Sequence, residues 1–382
     1  MQAPKMRNED SGITPFFKGA VMPGLPSNAS PCTDARCANS TRWAIDGRRR
    51  SFAASSSRNS KLLTLISHVL CGRRKVPHLE LYYAHRMDTS EPSRSGLVVR
   101  LPSPLIQLHH DRLETHGVRL YLKRDDLIHP EVSGNKWRKL RPNLAAAREQ
   151  GYTRLLTFGG AFSNHIRATA AAGHYLGFET VGVIRGEEHL PLNDSLAYAT
   201  SRGMVLTYLD RATYRRKTEP EVLAALEAQF GPCYVLPEGG SNGLAVRGCA
   251  ELVAEITTEF DVIACACGTG GTLAGIAAGL DGEQRALGFA VLKGGQFLDD
   301  EVRRLRCEAF GDVTPNWAID YDFHFGGYAK RTAVLDDFIA AFAAQHVITL
   351  DWVYEAKMLY GLFARIEAGA FPAGTRIVAV LS

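Results

Sequence analysis

Short apolar strands that end in glycine-rich turns and lead into helices are the feature that most limits the fold of this chain. Residues 155–158 form an apolar run that closes at Gly159-Gly160, and residues 262–267 form another that leads into Gly268-Thr269-Gly270-Gly271-Thr272. A helical pattern follows each turn. A helix between two strands carries the chain back across the sheet, so the strands pair in parallel. The sequence therefore predicts an α/β fold whose mostly parallel sheets are covered by helices on both faces.

The alternation continues along most of the chain from about residue 96. Strands are predicted at residues 120–123, 155–158, 180–184, 205–209, 233–236 and 262–267. Helices are predicted at residues 142–150, 166–176, 221–229, 243–257 and 273–280. A chain of 382 residues is long enough for two or three domains, or for one large enzyme of two lobes.

The first quarter of the chain has a different composition. Residues 1–95 hold 15 Lys and Arg against 7 Asp and Glu, whereas the rest hold 29 against 33, so the formal net charge of +4 comes from this segment. Ser, Arg, Asn and Pro are frequent there, without a sustained helical or strand period. We interpret residues 1–95 as disordered, or as a non-native extension upstream of Met87. A nucleic-acid arm or a transit segment is the alternative, although few aromatic residues accompany the arginines.

The cysteine pattern and the apolar segments indicate the class of protein. The eight cysteines form no CxxC pair and have no metal-type histidine spacing beside them, so we expect no metal site. Cys265 and Cys267 lie in an apolar strand pattern and are expected to be buried thiols, which fits a reducing cytosol. No segment approaches the ~20 apolar residues of a membrane helix, and the first residues lack the pattern of a secretory signal. The sequence predicts a cytoplasmic protein without a membrane anchor.

A lysine stands at the start of a predicted helix, directly after the turn Ser133-Gly134-Asn135. Lys136 would lie close to a helix N-terminus and to other cations, which lowers the pKa of its amine and makes it a better nucleophile toward an aldehyde. An ordinary solvated lysine is the alternative interpretation.

Two glycine-containing turns offer sites for anions. The turn from Gly159 to His165 opens a helix, and its small residues and free amides suit a planar ligand with a carboxylate. Ser163 and His165 are alternatively simple capping residues. The turn from Gly268 to Thr272 offers backbone N–H groups and two threonine hydroxyls to a phosphate. It matches neither a Walker loop nor a dinucleotide fingerprint, so a monophosphate fits best.

A lysine, a small-residue turn and a phosphate loop in this order describe a site for pyridoxal 5'-phosphate. Residues from about 101 to 381 resemble the two-lobed fold type II pyridoxal-phosphate enzymes, which are tryptophan synthase β-like. Within them the chain is most similar to the D-cysteine desulfhydrases and 1-aminocyclopropane-1-carboxylate deaminases. The resemblance rests on six ordered motifs: Leu122-Lys123-Arg124-Asp125-Asp126, Gly134-Asn135-Lys136-Trp137-Arg138-Lys139-Leu140, Gly159-Gly160 with Ser163-Asn164-His165, Gly268-Thr269-Gly270-Gly271-Thr272, Gly326-Gly327-Tyr328, and Asp351 with Val353-Tyr354-Glu355-Ala356-Lys357.

The resemblance implies a role for each matched residue. Lys136 would bind the cofactor aldehyde and later move protons, and Asn164 would hydrogen-bond the ring oxygen. Ser163 and His165 would bind the substrate, with Ser163 at its carboxylate or in proton transfer. Tyr328 and Tyr354 would flank the reacting carbons as acids or bases, unless they are half-buried core aromatics. The cofactor phosphate would be held by Lys139, Gly268, Thr269, Gly270, Gly271 and Thr272.

Two residues point to different substrates within this group. Glu355 beside the pyridine nitrogen would make the ring a strong electron sink, as opening a cyclopropane ring demands, and the deaminases carry Glu at this position. The Ser163-Asn164-His165 triplet instead resembles the desulfhydrases, since the deaminases usually carry Gln at the third position. The sequence leaves the choice between the two substrates open.

The resemblance also implies the organisation of the whole enzyme. The large lobe would combine residues 96–140 with 237–382, the small lobe would be 141–236, and the enzyme would be a homodimer without a nucleic-acid or membrane partner. The expected reaction is α,β-elimination from D-cysteine, with 1-aminocyclopropane-1-carboxylate deamination as the alternative.

In the family the strand at 376–380 runs into a His-Thr-Gly-Gly-like segment, which does not follow here. We therefore expect a truncated or frame-shifted product, and an inactive cofactor-binding homologue is the second alternative.

Overall fold

The computed structural model of the chain describes residues 97–132, 134–311 and 314–382. The expectations for residues 1–95 and for Met87 lie outside these residues. Ten strands are present in the described part: β1 (Leu105–Leu108), β2 (Arg119–Arg124), β3 (Arg154–Gly159), β4 (Glu179–Arg185), β5 (Val205–Leu209), β6 (Tyr234–Leu236), β7 (Val262–Cys267), β8 (Arg285–Ala290), β9 (Trp317–Asp320) and β10 (Arg376–Leu381).

Eleven α-helices connect the strands in the described residues. They are α1 (Asp111–Thr115), α2 (Asn135–Glu149), α3 (Asn164–Leu176), α4 (Asp194–Ser201), α5 (Arg211–Arg215), α6 (Pro220–Phe230), α7 (Gly243–Ala254), α8 (Gly271–Gly279), α9 (Phe297–Phe310), α10 (Ala333–His346) and α11 (Glu355–Glu367). None of these helices is long and apolar enough to cross a bilayer.

The strands form two sheets. The larger sheet has the order β1-β2-β10-β7-β8-β9, and the smaller one has the order β5-β4-β3-β6. Only β1 and β2 pair antiparallel; the other neighbours pair in parallel. The predicted α/β fold with mostly parallel sheets is therefore confirmed. Because parallel strands end at the same edge, the loops after them converge at one edge of each sheet.

The larger sheet is buried on both faces, as the alternation along β10 shows. Ile377, Ala379 and Leu381 pack into one apolar cluster, whereas Val378 and Val380 pack into another on the opposite face. Cys265 and Cys267 belong to the second cluster and are buried, so the prediction of buried thiols is confirmed. Burial on both faces explains why the strands contain near-continuous apolar runs.

The helix predicted at residues 142–150 begins earlier, at Asn135, and passes through Pro142. Proline cannot donate to the carbonyl one turn earlier, which is that of Arg138. This carbonyl lies against α7, so closely that a Cβ atom at Gly248 would be 2.1 Å from the Arg138 oxygen. The helix therefore continues through Pro142 where a neighbouring helix packs on the unpaired carbonyl. This packing fixes the position of the first turns of α2.

The helix predicted at residues 243–257 ends at Ala254, with Glu255 as its C-cap. The Glu255 carboxylate accepts hydrogen bonds from Lys123 Nζ at 2.8 Å and from both terminal nitrogens of Arg138 at 2.9 Å. Arg138 also donates to Asp125 at 2.6 and 2.8 Å. These ion pairs connect β2, α2 and the C-terminal end of α7.

Candidate active site

Lys136 lies in the first turn of α2. The preceding Gly134 is the N-cap and has a φ of +59°, a conformation that favours glycine. The Lys136 Nζ donates a hydrogen bond to Asn135 Oδ1 at 2.9 Å. Burial and the positive charge of Lys139 lower the pKa of the Lys136 amine to about 7. A large share of this amine is therefore neutral and nucleophilic at neutral pH.

Lys139 reaches from the next turn of α2 to the loop after β6. Its Nζ donates to Ser241 Oγ at 3.0 Å and to the Gly239 carbonyl at 3.3 Å. The Ser241 hydroxyl is in turn 2.7 Å from that of Thr269, in the loop after β7. Burial lowers the pKa of Lys139. A buried cation and two hydroxyls thus meet at the loop that the sequence predicts to bind phosphate.

The loop from Gly268 to Thr272 forms the other wall of this cluster. Gly270 is the N-cap of α8 in the left-handed conformation, with no side-chain cap, so the first N–H groups of α8 have no side-chain acceptor at that position. Asn135 Nδ2 donates to Thr272 Oγ1 at 2.8 Å. A Cβ atom at Gly271 would lie 2.5 Å from Ser241 Oγ and 3.1 Å from Lys139 Nζ. The glycine leaves open the space where the donors converge.

A phosphate fits this space by the chemistry of the surrounding groups. Lys139, the hydroxyls of Ser241, Thr269 and Thr272, and the N-terminus of α8 are donors, and their hydrogen bonds within the described residues involve no carboxylate. Donors of this kind at a helix N-terminus bind anions. With Lys136 one turn away along α2, the site suits a ligand that carries both an aldehyde and a phosphate.

The predicted carboxylate turn lies at the N-terminus of α3. Ser163 caps this helix, since its Oγ accepts a hydrogen bond from the Ile166 N–H at 3.4 Å, which agrees with the capping interpretation. His165 is buried, with Nε2 2.8 Å from Thr157 Oγ1 and no partner for Nδ1 among the described residues. Burial and the two lysines lower the pKa of His165 well below its usual value, so the ring is neutral. Its contact with a substrate stays a prediction.

Asp351 is a site residue to which the sequence assigned no role. Its carboxylate accepts hydrogen bonds from the Tyr354 N–H at 2.7 Å, from the Val353 N–H at 2.9 Å and from the Asn164 side chain. Burial raises the pKa of Asp351, partly offset by these donors and by Lys136. The contact joins the turn before α3 to the turn before α11. The acidic residue three positions before Tyr354 is a sequence signal for such a turn.

Tyr328 and Tyr354 lie together in the structure, and their place beside the reacting carbons stays a prediction. The Tyr354 hydroxyl donates to that of Tyr328 at 3.4 Å, and their rings meet edge to face at a centroid distance of 6.0 Å. Burial raises the pKa of both phenols, so both hold their protons at neutral pH. A Cβ atom at Gly268 would lie 3.1 Å from the Tyr354 ring, which places this pair beside the phosphate loop.

Glu355 occupies the first turn of α11 and is buried. Its carboxylate accepts hydrogen bonds from the backbone N–H groups of Asp351 at 3.0 Å and Ser382 at 2.6 Å. Burial raises the pKa of Glu355 to about 8, against the effect of these donors. The group is therefore largely protonated at neutral pH. The expected contact with a ring nitrogen stays a prediction.

Comparison with known proteins agrees with these features. The model of the family described as "Pyridoxal-phosphate dependent enzyme" matches residues 99–382. A putative 1-aminocyclopropane-1-carboxylate deaminase of Pyrococcus horikoshii is 34% identical over 64% of this chain and 79% of its own length. A bifunctional D-cysteine desulfhydrase/1-aminocyclopropane-1-carboxylate deaminase of Arabidopsis thaliana is 31% identical over 72% and 74%, and a D-cysteine desulfhydrase of Klebsiella pneumoniae is 33% identical over 72% and 89%.

Solved structures show the same architecture. The crystal structure of an ACC deaminase homologue has 29% identity and a TM-score of 0.66, and the match covers 75% of this chain and 90% of that one. An O-ureido-L-serine synthase, at 16% identity and a TM-score of 0.53 over 74% and 89%, shares the fold.

Proposed function

The chain belongs to the pyridoxal-phosphate dependent enzymes and has their fold type II architecture, and from this premise we propose that it deaminates a small amino acid by α,β-elimination. The substrate proposed is D-cysteine, which with water gives pyruvate, ammonia and hydrogen sulfide. One observation carries the proposal: Lys136, whose pKa is about 7, lies one turn of α2 from a cluster of phosphate donors. The relatives named D-cysteine desulfhydrase support the substrate.

Each end of the cofactor has matching residues. When bound, pyridoxal phosphate supplies an aldehyde that takes up an amino group and a ring that accepts electrons from the α-carbon. Lys136 would hold the aldehyde end. Lys139, the loop from Gly268 to Thr272 and the hydroxyl of Ser241 would hold the phosphate. Asn164 and Glu355 would contact the ring.

The proton chemistry follows from the two groups of titratable residues. The neutral amine of Lys136 accepts the proton of the substrate α-carbon at Nζ and later returns a proton. The phenols of Tyr328 and Tyr354 keep their protons at neutral pH, so one of them can protonate the departing sulfur. Ser163, with His165 behind it, would orient the substrate carboxylate.

1-Aminocyclopropane-1-carboxylate deamination, which gives 2-oxobutyrate and ammonia, is the second candidate. Several relatives carry this name, and Glu355, in the first turn of α11, is the residue expected of a deaminase. An inactive cofactor-binding homologue is the third candidate.

The experiment is reduction of the cofactor-loaded protein with borohydride, followed by peptide mapping. We expect a pyridoxyl group on Lys136 and none on this peptide in Lys136→Ala. A pyridoxyl group elsewhere contradicts the cofactor assignment. Parallel assays for sulfide from D-cysteine and for 2-oxobutyrate from 1-aminocyclopropane-1-carboxylate separate the first two candidates. A labelled Lys136 without either product supports the third.

We also propose a homodimer that works in the reducing cytosol, with lobes formed by residues 96–140 plus 237–382 and by 141–236. The four strands of the smaller sheet fall within 154–236, which supports the lobe boundaries, although α2 spans the one at 140. The buried thiols of Cys249, Cys265 and Cys267, which form no disulfide, support a reducing compartment. Sedimentation equilibrium tests the dimer, and a monomer at micromolar concentration would contradict it.

A further inference from the structure

Two cavities lie at the carboxyl edge of the smaller sheet. Their volumes are about 440 and 330 Å³, and both are lined by Arg185 and Arg211. Arg185 ends β4, and Arg211 begins the helix that follows β5. The edge of a parallel sheet where loops converge is a common place for a ligand. No residue assigned above to the cofactor lines either cavity.

The cavities adjoin the candidate active site on two sides. Gly160, in the turn that carries Ser163, lines the larger cavity, and a Cβ atom at Gly160 would lie 3.6 Å from an Arg185 guanidinium nitrogen. Glu238 lines the smaller cavity and precedes Gly239, whose carbonyl accepts from Lys139. The charge of Arg185 acts on the pKa of Tyr328, in the direction that lowers it. A ligand in the cavities would therefore border the reacting carbons.

The walls carry an excess of positive charge. Lys217 pairs with Glu238 at 3.1 Å, but within the described ranges Arg185, Arg211 and Arg215 form no ion pair with a carboxylate. Glu238 lines the smaller cavity, and among the described residues Glu187 is the carboxylate that lines the larger one. These three exposed guanidinium groups, without carboxylate partners at one sheet edge, offer charge-assisted hydrogen bonds to an anion.

Two tyrosines also line these walls. Tyr214 is 2% exposed, and burial together with the interaction of its hydroxyl with Glu238 raises its pKa. The buried hydroxyl of Tyr208, on the larger cavity, has no hydrogen-bond partner among the described residues. A buried hydroxyl without a partner is unfavourable, and this one can donate a hydrogen bond to an anionic oxygen.

We propose that the cationic cavity formed by Arg185, Arg211 and Arg215 receives an anionic group on the β-carbon of the substrate, so that the substrates include amino acids with a phosphate or sulfonate group there. This inference rests on the proposed elimination. For O-phosphoserine, the α-proton passes to Lys136 Nζ and the bond between the β-carbon and oxygen breaks. The electron pair leaves with the phosphate. The released 2-aminoacrylate takes up water and gives pyruvate and ammonia. The arginines stabilise the departing charge.

The test compares a substrate whose β-substituent is anionic with one whose β-substituent is neutral, on the cofactor-loaded full chain. Pyruvate is measured from O-phospho-D-serine and from β-chloro-D-alanine with the wild type, Arg185→Gln and Arg211→Gln. We expect each variant to lower kcat/KM for the phosphate substrate about tenfold, the change expected from one charge-assisted hydrogen bond. The chloride substrate should change by less than about twofold. Arg216→Gln is the control, because Arg216 is exposed and pairs with Glu219 outside the cavity.

A second measurement uses inorganic phosphate as the probe, by calorimetry on the loaded protein. Binding to the wild type and to Arg216→Gln, lost in both cavity variants, supports the site. Equal losses with both substrates overturn the proposal. Phosphate binding that depends on the arginines, without preference for the phosphate substrate, assigns the cavity to a free anion and also overturns it. If neither substrate gives pyruvate, the elimination itself is wrong and the substrate assignment falls with it.

Discussion

The ammonium group of Lys357 lies 2.8 Å from the carbonyl oxygen of Gly327 and donates a hydrogen bond to it. The same group donates to the His324 carbonyl at 3.0 Å, and the side chain is fully buried. Gly327 has a φ of +126° and directly precedes Tyr328. A buried lysine on α11 therefore holds the turn that delivers Tyr328 to the site.

Replacing Lys357 by Met should lower turnover more than stability accounts for. The loss removes the buried side-chain donor from the two carbonyls, which keep only the backbone hydrogen bonds of the turn. We expect this to cost about 1–3 kcal/mol and to release the turn before Tyr328. Urea unfolding and kcat on D-cysteine measure the two effects. Lys330→Met, at an exposed position after the same turn, is the control. An unchanged kcat in folded Lys357→Met would show that the turn does not depend on this side chain.

The reactivity of Lys136 should rise with pH with a midpoint near pH 7. Only the neutral amine is nucleophilic, and the pKa of this amine is about 7, so its acylation rate in the cofactor-free protein should be half-maximal near that pH and level off above it. A lysine with the ordinary pKa of about 10.4 would keep gaining reactivity. Peptide mass spectrometry after brief acylation gives the rate. A midpoint near 10 would contradict the lowered pKa.

Lys139→Met tests the cause of that lowered pKa. Removing the neighbouring positive charge should raise the Lys136 midpoint by up to about one pH unit, because burial, the larger cause, remains. The same acylation profile measures it. A midpoint that moves down, or fully back to the ordinary value, would show that the charges act differently.

Arg138→Met should destabilise the fold by about 3–5 kcal/mol at pH 7, since Asp125 and Glu255 lose their buried cation. Against the effect of burial, Arg138 and Lys123 lower the pKa of Glu255 to about 2. A lowered carboxyl pKa stabilises the fold above the unfolded value of about 4.3, and this stability is lost as pH falls toward 2. Urea unfolding at pH 7 and pH 3 should therefore give a smaller difference between wild type and variant at pH 3.

Arg141→Met is the matched control for this helix. Arg141 pairs with Glu251, and its side chain is 32% exposed, so the loss should be below about 1 kcal/mol. Equal losses in the two variants would contradict a special role for the buried network.

Gly271→Ala should weaken cofactor binding while the fold is retained. The added Cβ atom would lie 2.5 Å from Ser241 Oγ, in the space between the phosphate donors. We expect the affinity for pyridoxal phosphate, measured by absorbance titration, to fall at least about tenfold. Gly160→Ala adds a Cβ atom with 3.6 Å to its nearest neighbour and should keep the affinity. Unchanged binding in Gly271→Ala would place the phosphate elsewhere.

Most strands buried on both faces could be predicted from the sequence because their apolar runs are nearly continuous, as in β7 and β4. The elements not predicted are strands β1, β8 and β9 and helices α1, α4, α5, α9, α10 and α11. All four residues of β9 are only partly buried, so they show neither a continuous run nor a clear alternation. Lys136 and the loop from Gly268 to Thr272 could be singled out from the sequence because each lies at a glycine turn with a recognisable composition, and their roles stay predictions.

Other parts of the site depend on contacts between distant segments. Ser241 and Gly239 contact Lys139, which lies about 100 residues away in the chain. Asp351 contacts Asn164, which also belongs to a distant segment. The residues near Ser241 and Asp351 have ordinary turn composition. Packing brings them to the site, and local composition carries no signal of which turn will meet which.

The place of β10 in the larger sheet affects how the protein is made. This strand lies between β2 and β7, yet it is synthesised after both of them and after the whole smaller sheet. A growing chain can complete β3 to β6 while β2 and β7 still present unpaired edges. Unpaired edges of buried, apolar strands promote association between chains. Ribosomal pausing before residue 376 would lengthen that exposed interval, so we expect the yield of folded enzyme to depend on the speed at which β10 is translated.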